Sequence, residues 1–308
     1  LLRLKAQVSV MSIVRQRSIN RVDRRLGQML GLLSVGVALL LMLIVLFLLN
    51  ESWPFLASLW HEGQWLGLLQ NPGWYPLEGR FGMTPMILAS IAVTLGAVLL
   101  ALPLGLANAI YLEFYASPVT ARGFRLLLNL LAGIPSVVFG LWGLTRLVPL
   151  ITKWQAPGTS LLAAMLVLSL MILPTIALTS AGALASVPKD LLAGSMALGL
   201  RRKTQILHVL LPAARSGIAS GALLATARAL GETMAVLMVA GNVVQFPSGL
   251  FEPVRVLTAN IALEMAYAMG DHRASLFASG LLLTLLVWLL SWVAQRVNRQ
   301  SQAFARRG

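Results

Sequence analysis

This chain of 308 residues is 58% hydrophobic and only 11% charged, with a net charge of +14 and no cysteine. Such a composition excludes a soluble domain of this length, and the missing thiols exclude disulfides, thiol catalysis and sulfur-ligated metal. The charge invites nucleic acid as a partner, but its distribution along the chain argues for a membrane instead.

In chain order, a basic N-terminal segment, 1–25, leads into a charge-free run, 26–50. Arg21-Val22-Asp23-Arg24-Arg25 also describes a signal-peptide n-region. The apolar run is longer than about 20 residues and lacks a small-x-small cleavage site, so a retained anchor is expected. An outer loop, 51–80, is rich in Trp, Pro and Gly and reads as an interfacial loop with room for one short amphipathic helix, its partner lipid or another protein. Runs 81–112, 126–145, 154–188 and 274–295 follow. Each reaches the roughly 20 residues that a membrane helix needs. One more span, 217–244, is interrupted only by Arg228 and Glu232. Helices satisfy their own amides where lipid offers no partner, and the alternation of a membrane barrel is missing. The expectation is an all-α integral membrane protein with one domain of six transmembrane helices, 26–300, and a tail, 301–308. Pro103, Pro135 and Pro174 fall within spans two, three and four. There a proline kinks a helix or frees a carbonyl, and in a transporter such breaks often lie near the substrate path.

Of the 24 Lys and Arg, seven precede residue 26, five lie within 189–215, two are Arg122 and Arg125, and four follow residue 295. The opposite side of a six-span chain receives only Arg80, Lys153, Arg255 and Arg273. The positive-inside rule therefore predicts that both termini and the 189–215 loop are cytoplasmic. Trp53, Trp60, Trp65, Trp74 and Trp154 are expected at the outer boundary, and Trp288 and Trp292 near the inner one. His61, His208 and His272 are distant from one another and from carboxylate clusters, so they read as interfacial or loop residues.

The loop has helix signals of its own. Pro188 suits a helix start, Asp190 complements the positive end of that helix, and Gly199 suits the left-handed residue that ends it. Arg201-Arg202-Lys203-Thr204 then opens a second segment that reaches span five through Val209-Leu210-Leu211-Pro212. The product is a compact knob fit for the groove of a soluble partner. In span five Gly217, Gly221, Ala225, Arg228, Glu232 and Ala235 fall on one helical face. Gly217-x₃-Gly221 allows close approach of another helix. Charges at membrane depth mark an ion or substrate path by default, and the planar fork of Arg228 suits phosphate. The bland reading is an Arg228–Glu232 pair that locks helices together. Arg146, near the outer end of span three, snorkels to headgroups or helps anions enter.

Ala193-Gly194-Ser195-Met196-Ala197-Leu198-Gly199, followed by Val209-Leu210-Leu211-Pro212, resembles the EAA loop of ABC-importer permeases, E-A-A-x₃-G-x₉-I-x-L-P. Gly199, Leu211 and Pro212 keep that pattern. Ala193 stands where Glu is usual, Gly194 and Ser195 replace the two alanines, and Val209 replaces Ile. Arg228-Ala229-Leu230-Gly231-Glu232-Thr233-Met234-Ala235-Val236, with Gly241-Asn242, is similar to the fifth span of phosphate ABC permeases of the PstC/PstA type, closer to PstC. Leu131-Ala132-Gly133-Ile134-Pro135-Ser136-Val137-Val138-Phe139-Gly140-Leu141-Trp142-Gly143-Leu144 resembles that family's third span, and Phe81-Gly82-Met83-Thr84-Pro85 fits the opening of its second.

The resemblance implies a type I (MetI-like) permease domain, half of a phosphate path, in a bacterial or archaeal inner membrane. It implies a PstA-like permease partner, two copies of a cytoplasmic ATPase held by Ala193, Gly194, Ser195, Gly199, Leu211 and Pro212, and a periplasmic or lipid-anchored phosphate-binding protein. No cofactor, metal or catalytic residue is expected: no G-x₄-G-K-[ST] occurs, and nucleophile and base are nowhere paired. Competing readings are a permease for another oxyanion or small solute, an ion-coupled transporter using Arg228 and Glu232, and a phosphate-sensing scaffold.

Overall fold

The computed structural model describes residues 21–61 and 73–305. Most of the basic segment 1–25, Trp65 with the rest of 62–72, and residues 306–308 of the tail lie outside them. The chain divides into two compact units, Leu1–Asn50 and Glu51–Gly308. The first is carried by helix α1, Arg21–His61, whose leucines along 26–49 are all exposed except the half-buried Leu48. A helix apolar on all sides, with no covering layer among the described residues of its own unit, suits lipid rather than water. The helix does not stop at residue 50. Its C-terminal part continues through Glu51 and Pro54 to His61, so the predicted outer loop 51–80 begins as helix.

The second unit opens with a small hairpin, β1 (Trp74–Tyr75) and β2 (Arg80–Phe81), paired antiparallel around a 3₁₀ turn at Pro76–Glu78. Helix α2, Thr84–Ile110, ends in a π turn, Tyr111–Tyr115. Ser117 caps α3, Pro118–Gly133, by accepting from the Thr120 amide at 3.2 Å, with Pro118 at the first helical position. Helix α4, Ser136–Trp142, passes through a π turn, Gly143–Leu147, into α5, Val148–Thr152. Next come α6, Leu161–Ala185, and α7, Lys189–Ala197. After α8, Arg202–Thr204, a third π turn, Gln205–Leu210, feeds α9, Leu211–Leu230. The last elements are α10, Met234–Val239, α11, Leu257–Glu264, and α12, Gly270–Ala305. Two of the π turns sit just before a proline, Pro149 and Pro212. A wider turn there relieves the clash of the proline ring with the carbonyl one turn back.

Five segments are long and apolar enough to cross a membrane, and a sixth crossing exists if the bent pair α3 plus 136–152 is one span. The kink expected at Pro135 in the span 126–145 is there and is sharp, a turn of 92° at residues 134–135. Pro135 excludes the helical conformation from Ile134, which is extended at ψ 129°.

The core lies between α2 and α6. Ala89, Val93, Ala97, Ala101, Gly105 and Ala109 recur every fourth residue along α2, and all are buried. A Cβ at Gly105 would fall 2.7 Å from Ile176 Cγ2. This small-residue seam brings the two backbones close, the usual source of helix affinity where lipid removes the hydrophobic drive. Helix α9 docks on α6 in the same way. A Cβ at Gly217 would lie 2.5 Å from Ala183 Cβ, and one at Gly221 would overlap Thr179 Oγ1.

Candidate functional site

The expected span 217–244 is broken where its charges lie. The amides of Gly231 and Glu232 bond to the carbonyls of Ala227 and Ala229 at 3.2 Å, which closes α9. Glu232 Oε1 then accepts from the Ala235 amide at 3.3 Å, at the start of α10. A carboxylate there meets the positive end of the new helix. Arg228 stays on the last turn of α9, exposed, with Nη1 3.5 Å from Thr175 Oγ1 on α6. Among the described residues no carboxylate lies within ion-pair distance of it. The expected Arg228–Glu232 pair on one helical face is therefore corrected. Helix α9 ends between them, so Glu232 no longer projects one turn above Arg228. The break faces a narrow cleft lined by Ser90, Thr94, Leu230, Glu232 and Thr258. Arg146 lies apart from this constellation in sequence, exposed on the π turn between α4 and α5, also without an ion pair among the described residues.

The knob forms as two helices about a glycine. Pro188 precedes α7, Asp190 is in its first turn, and Gly199 is left-handed at φ 69°. The amide of Gly199 reaches the Met196 carbonyl at 2.9 Å and that of Leu200 reaches Ser195 at 3.2 Å, a helix stop that only a left-handed residue permits without strain. Of the expected coupling residues, Ala193, Gly194, Gly199 and Pro212 are exposed, Leu211 is half-buried, and Ser195 is buried, donating to the Leu192 carbonyl at 2.7 Å. Sequence reasoning missed the exposed apolar side chains of the knob, Leu191, Met196 and Leu198, the last 79% exposed. The Arg202 guanidinium stands 5.0 Å over the Tyr115 ring, tying the knob to the end of α2. Beside it Arg125 pairs with Glu113.

A second constellation had no signal in the sequence. Glu264, at the end of α11, is buried. Its Oε1 accepts from Arg255 Nη1 at 2.7 Å, and its Oε2 accepts from Trp74 Nε1 at 2.7 Å and lies 2.8 Å from His272 Nε2. Arg255 also donates to the Asn242 carbonyl at 2.9 Å and to Asn260 Oδ1 at 3.0 Å. This overturns one expectation: His272 is not isolated from carboxylates. Trp74, expected at the outer boundary, is buried against protein, where its indole N–H reaches Glu264. The loop 240–256 reaches Arg255 through two left-handed residues, Gly241 at φ 90° and Asn242 at φ 57°. A Cβ at Gly241 would fall 2.5 Å from Pro253 Cβ.

Residues 101–303 match the family model described as "Binding-protein-dependent transport system inner membrane component". A probable ABC transporter permease protein, YqgH of Bacillus subtilis, is 41% identical over 72% of this chain and 74% of its own length. The phosphate transport system permease protein PstC of Mesorhizobium japonicum is 31% identical over 85% of each chain. Among solved structures, an inward-facing MetNI methionine ABC transporter superposes with a TM-score of 0.57 at 22% identity, over 69% of this chain and 93% of that one. A bacterial ABC transporter that imports alginate gives 0.55 at 14% identity, over 90% and 99%. Both likenesses establish the MetI-like permease fold. The chain belongs to the binding-protein-dependent transport system inner membrane components, the permease subunits of ABC importers, and is a transport subunit rather than an enzyme.

Proposed function

We propose that this permease imports inorganic phosphate and that the path runs past Arg228. Relatives named PstC support the substrate class, at 29–31% identity over 80–88% of this chain. The observation that carries the reading is an exposed guanidinium on the last turn of a helix long and apolar enough to cross a membrane, whose one described partner is a hydroxyl at 3.5 Å. A charge there requires compensation from protein, water or ligand, and a planar fork with five donors matches a tetrahedral oxyanion. Glu232, held in the adjoining break, makes a gate that repels the anion unless α9 and α10 realign. Arg146 adds positive charge toward the outer boundary.

In this reading the chain pairs with a PstA-like permease, and two copies of a cytoplasmic ATPase dock, one of them on the 189–212 knob. A periplasmic or lipid-anchored phosphate-binding protein delivers the anion from the other side. The charge distribution supports cytoplasmic termini, and the bacterial relatives support a bacterial or archaeal inner membrane. With Ala193 in place of the usual Glu, the knob grips the ATPase through Leu191, Met196 and Leu198, rimmed by Lys189, Arg201 and Lys203. Closure of the ATPase dimer on ATP pulls the knob, and the Gly199 stop passes the motion into α9. The ion-coupled reading falls with the family membership and with the pair it required.

Proteoliposomes carrying the complex, its binding protein and internal ATP are expected to accumulate radiolabelled phosphate. Arsenate should compete and sulfate should not. Uptake of another oxyanion with no displacement by excess phosphate would overturn the substrate.

A further inference from the structure

Helix α11 is fastened at both ends by side chains that do not face lipid. At its C-terminal end, Glu264 gathers Trp74 of the hairpin, Arg255 of the 240–256 loop and His272 of the first turn of α12. At its N-terminal end, Thr258 Oγ1 donates to the backbone carbonyl of Glu232 at 2.9 Å, and the Leu257 amide bonds to Ser90 Oγ on α2 at 3.0 Å. The Glu232 carbonyl belongs to the break between α9 and α10. The six residues from Thr258 to Glu264 rise about 9 Å in a helix. Ala259 and Asn260 are fully buried between the two fastenings, as is Leu257 at the first of them, so the helix shifts as one body or repacks its neighbours.

Burial alone does not account for this arrangement. Apolar residues of similar volume hold a core as well as a buried ion pair does, because desolvation offsets most of the attraction. What a three-donor carboxylate supplies is geometry, since each donor fixes one element at hydrogen-bond distance. Here three elements meet at one carboxylate, and the far end of the same helix grips the break beside Arg228.

We propose that α11 is a transmission strut, with Glu264 and Thr258 as its fastenings. Displacement of the hairpin and the 240–256 loop is delivered through α11 to the Glu232 carbonyl, which sets how α9 meets α10. Both are positioning residues that act on the path through the break without touching the transported anion. The inference rests on the reading of the Arg228–Glu232 break as part of that path. It assigns the hairpin and loop end as the input, the side on which the charge distribution puts the binding protein.

The absence of native cysteine makes the test direct. In the purified complex a cysteine replaces Met234, the exposed first residue of α10, and its maleimide labelling rate is measured. Thr258→Val and Glu264→Gln are each expected to change that rate by about threefold or more. Thr258→Ser should restore it, and Arg80→Gln, which removes an exposed ion pair on the same hairpin, should leave it unchanged. In proteoliposomes the two strut variants should keep basal ATPase activity but lose most of its stimulation by the binding protein. If Glu264→Gln does not assemble, the nearly isosteric Thr258→Val decides alone. An assembled Thr258→Val complex with wild-type labelling and wild-type stimulation would overturn the strut. A complex that moves no phosphate yet shows the labelling change would overturn the substrate reading and leave the strut in place.

Discussion

Arg228 and Glu264 are both charges in an apolar chain, and their surroundings assign them opposite tasks. Glu264 meets three partners on other elements, whereas Arg228 reaches one hydroxyl at the limit of hydrogen bonding. Arg228→Ala therefore strands no buried carboxylate, and the complex should assemble at its normal level. Its uptake is another matter. If the guanidinium holds the anion at the barrier, its loss removes charge-assisted hydrogen bonds of about 1.5–3 kcal/mol, a fall of about tenfold to a hundredfold. Arg228→Lys should recover part of the rate, because it keeps the charge without the fork. Initial phosphate uptake at equal amounts of assembled complex measures this, and near-normal uptake by Arg228→Ala would exclude the residue from the path. Arg228 was legible in the sequence, being a charge inside an apolar run. Glu264 was not, since nothing in the spacing of Trp74, Arg255 and His272 brings them to it.

At the scale of elements, helix ends carry the outcome. The stop at Gly199 could be read beforehand, because a glycine between a short helix and an Arg-Arg-Lys start has few other uses. The stop at Gly231 could not. Arg228 to Ala235 looks continuous in hydropathy, and the break depends on Glu232 capping the next helix and on Thr258 holding its carbonyl. The knob also separates buried from presented side chains, which its motif does not. Ser195 faces inward, whereas Met196 and Leu198 are 57% and 79% exposed. Met196→Asp combined with Leu198→Asp should leave the membrane unit folded and reduce co-purification of the ATPase by about tenfold or more, as loss of an apolar anchor does at an interface. Undiminished ATPase recovery would move the docking contact elsewhere.

At the scale of the molecule, the small-residue seams of α2 and α9 make α6 the central helix, packed from two sides. Placing the strut end and the knob on opposite faces of the membrane rests on charge alone, and this is open to direct measurement. With no native cysteine as background, Thr204→Cys should react with an impermeant maleimide only in inverted vesicles, and Ser248→Cys only in intact cells. Labelling of Thr204→Cys in sealed intact cells would reverse the proposed orientation and, with it, the side from which the anion arrives.

Hydropathy summed along the chain was enough to determine a helical membrane protein of about six crossings, because each apolar segment pays its own way into lipid regardless of its neighbours. Local stereochemistry likewise determined the Gly199 stop and the Gly217–Gly221 seam, each of which concerns residues within one turn or two. The break at Ile134–Pro135 was also local, a proline acting on the residue before it, though its 92° angle was not. Tertiary structure alone decided the separation of Glu232 from Arg228 and the burial of Trp74. The Trp74–Glu264 bond joins residues 190 positions apart. No local period encodes such a pairing, since a buried carboxylate is stable only once folding has brought its donors around it.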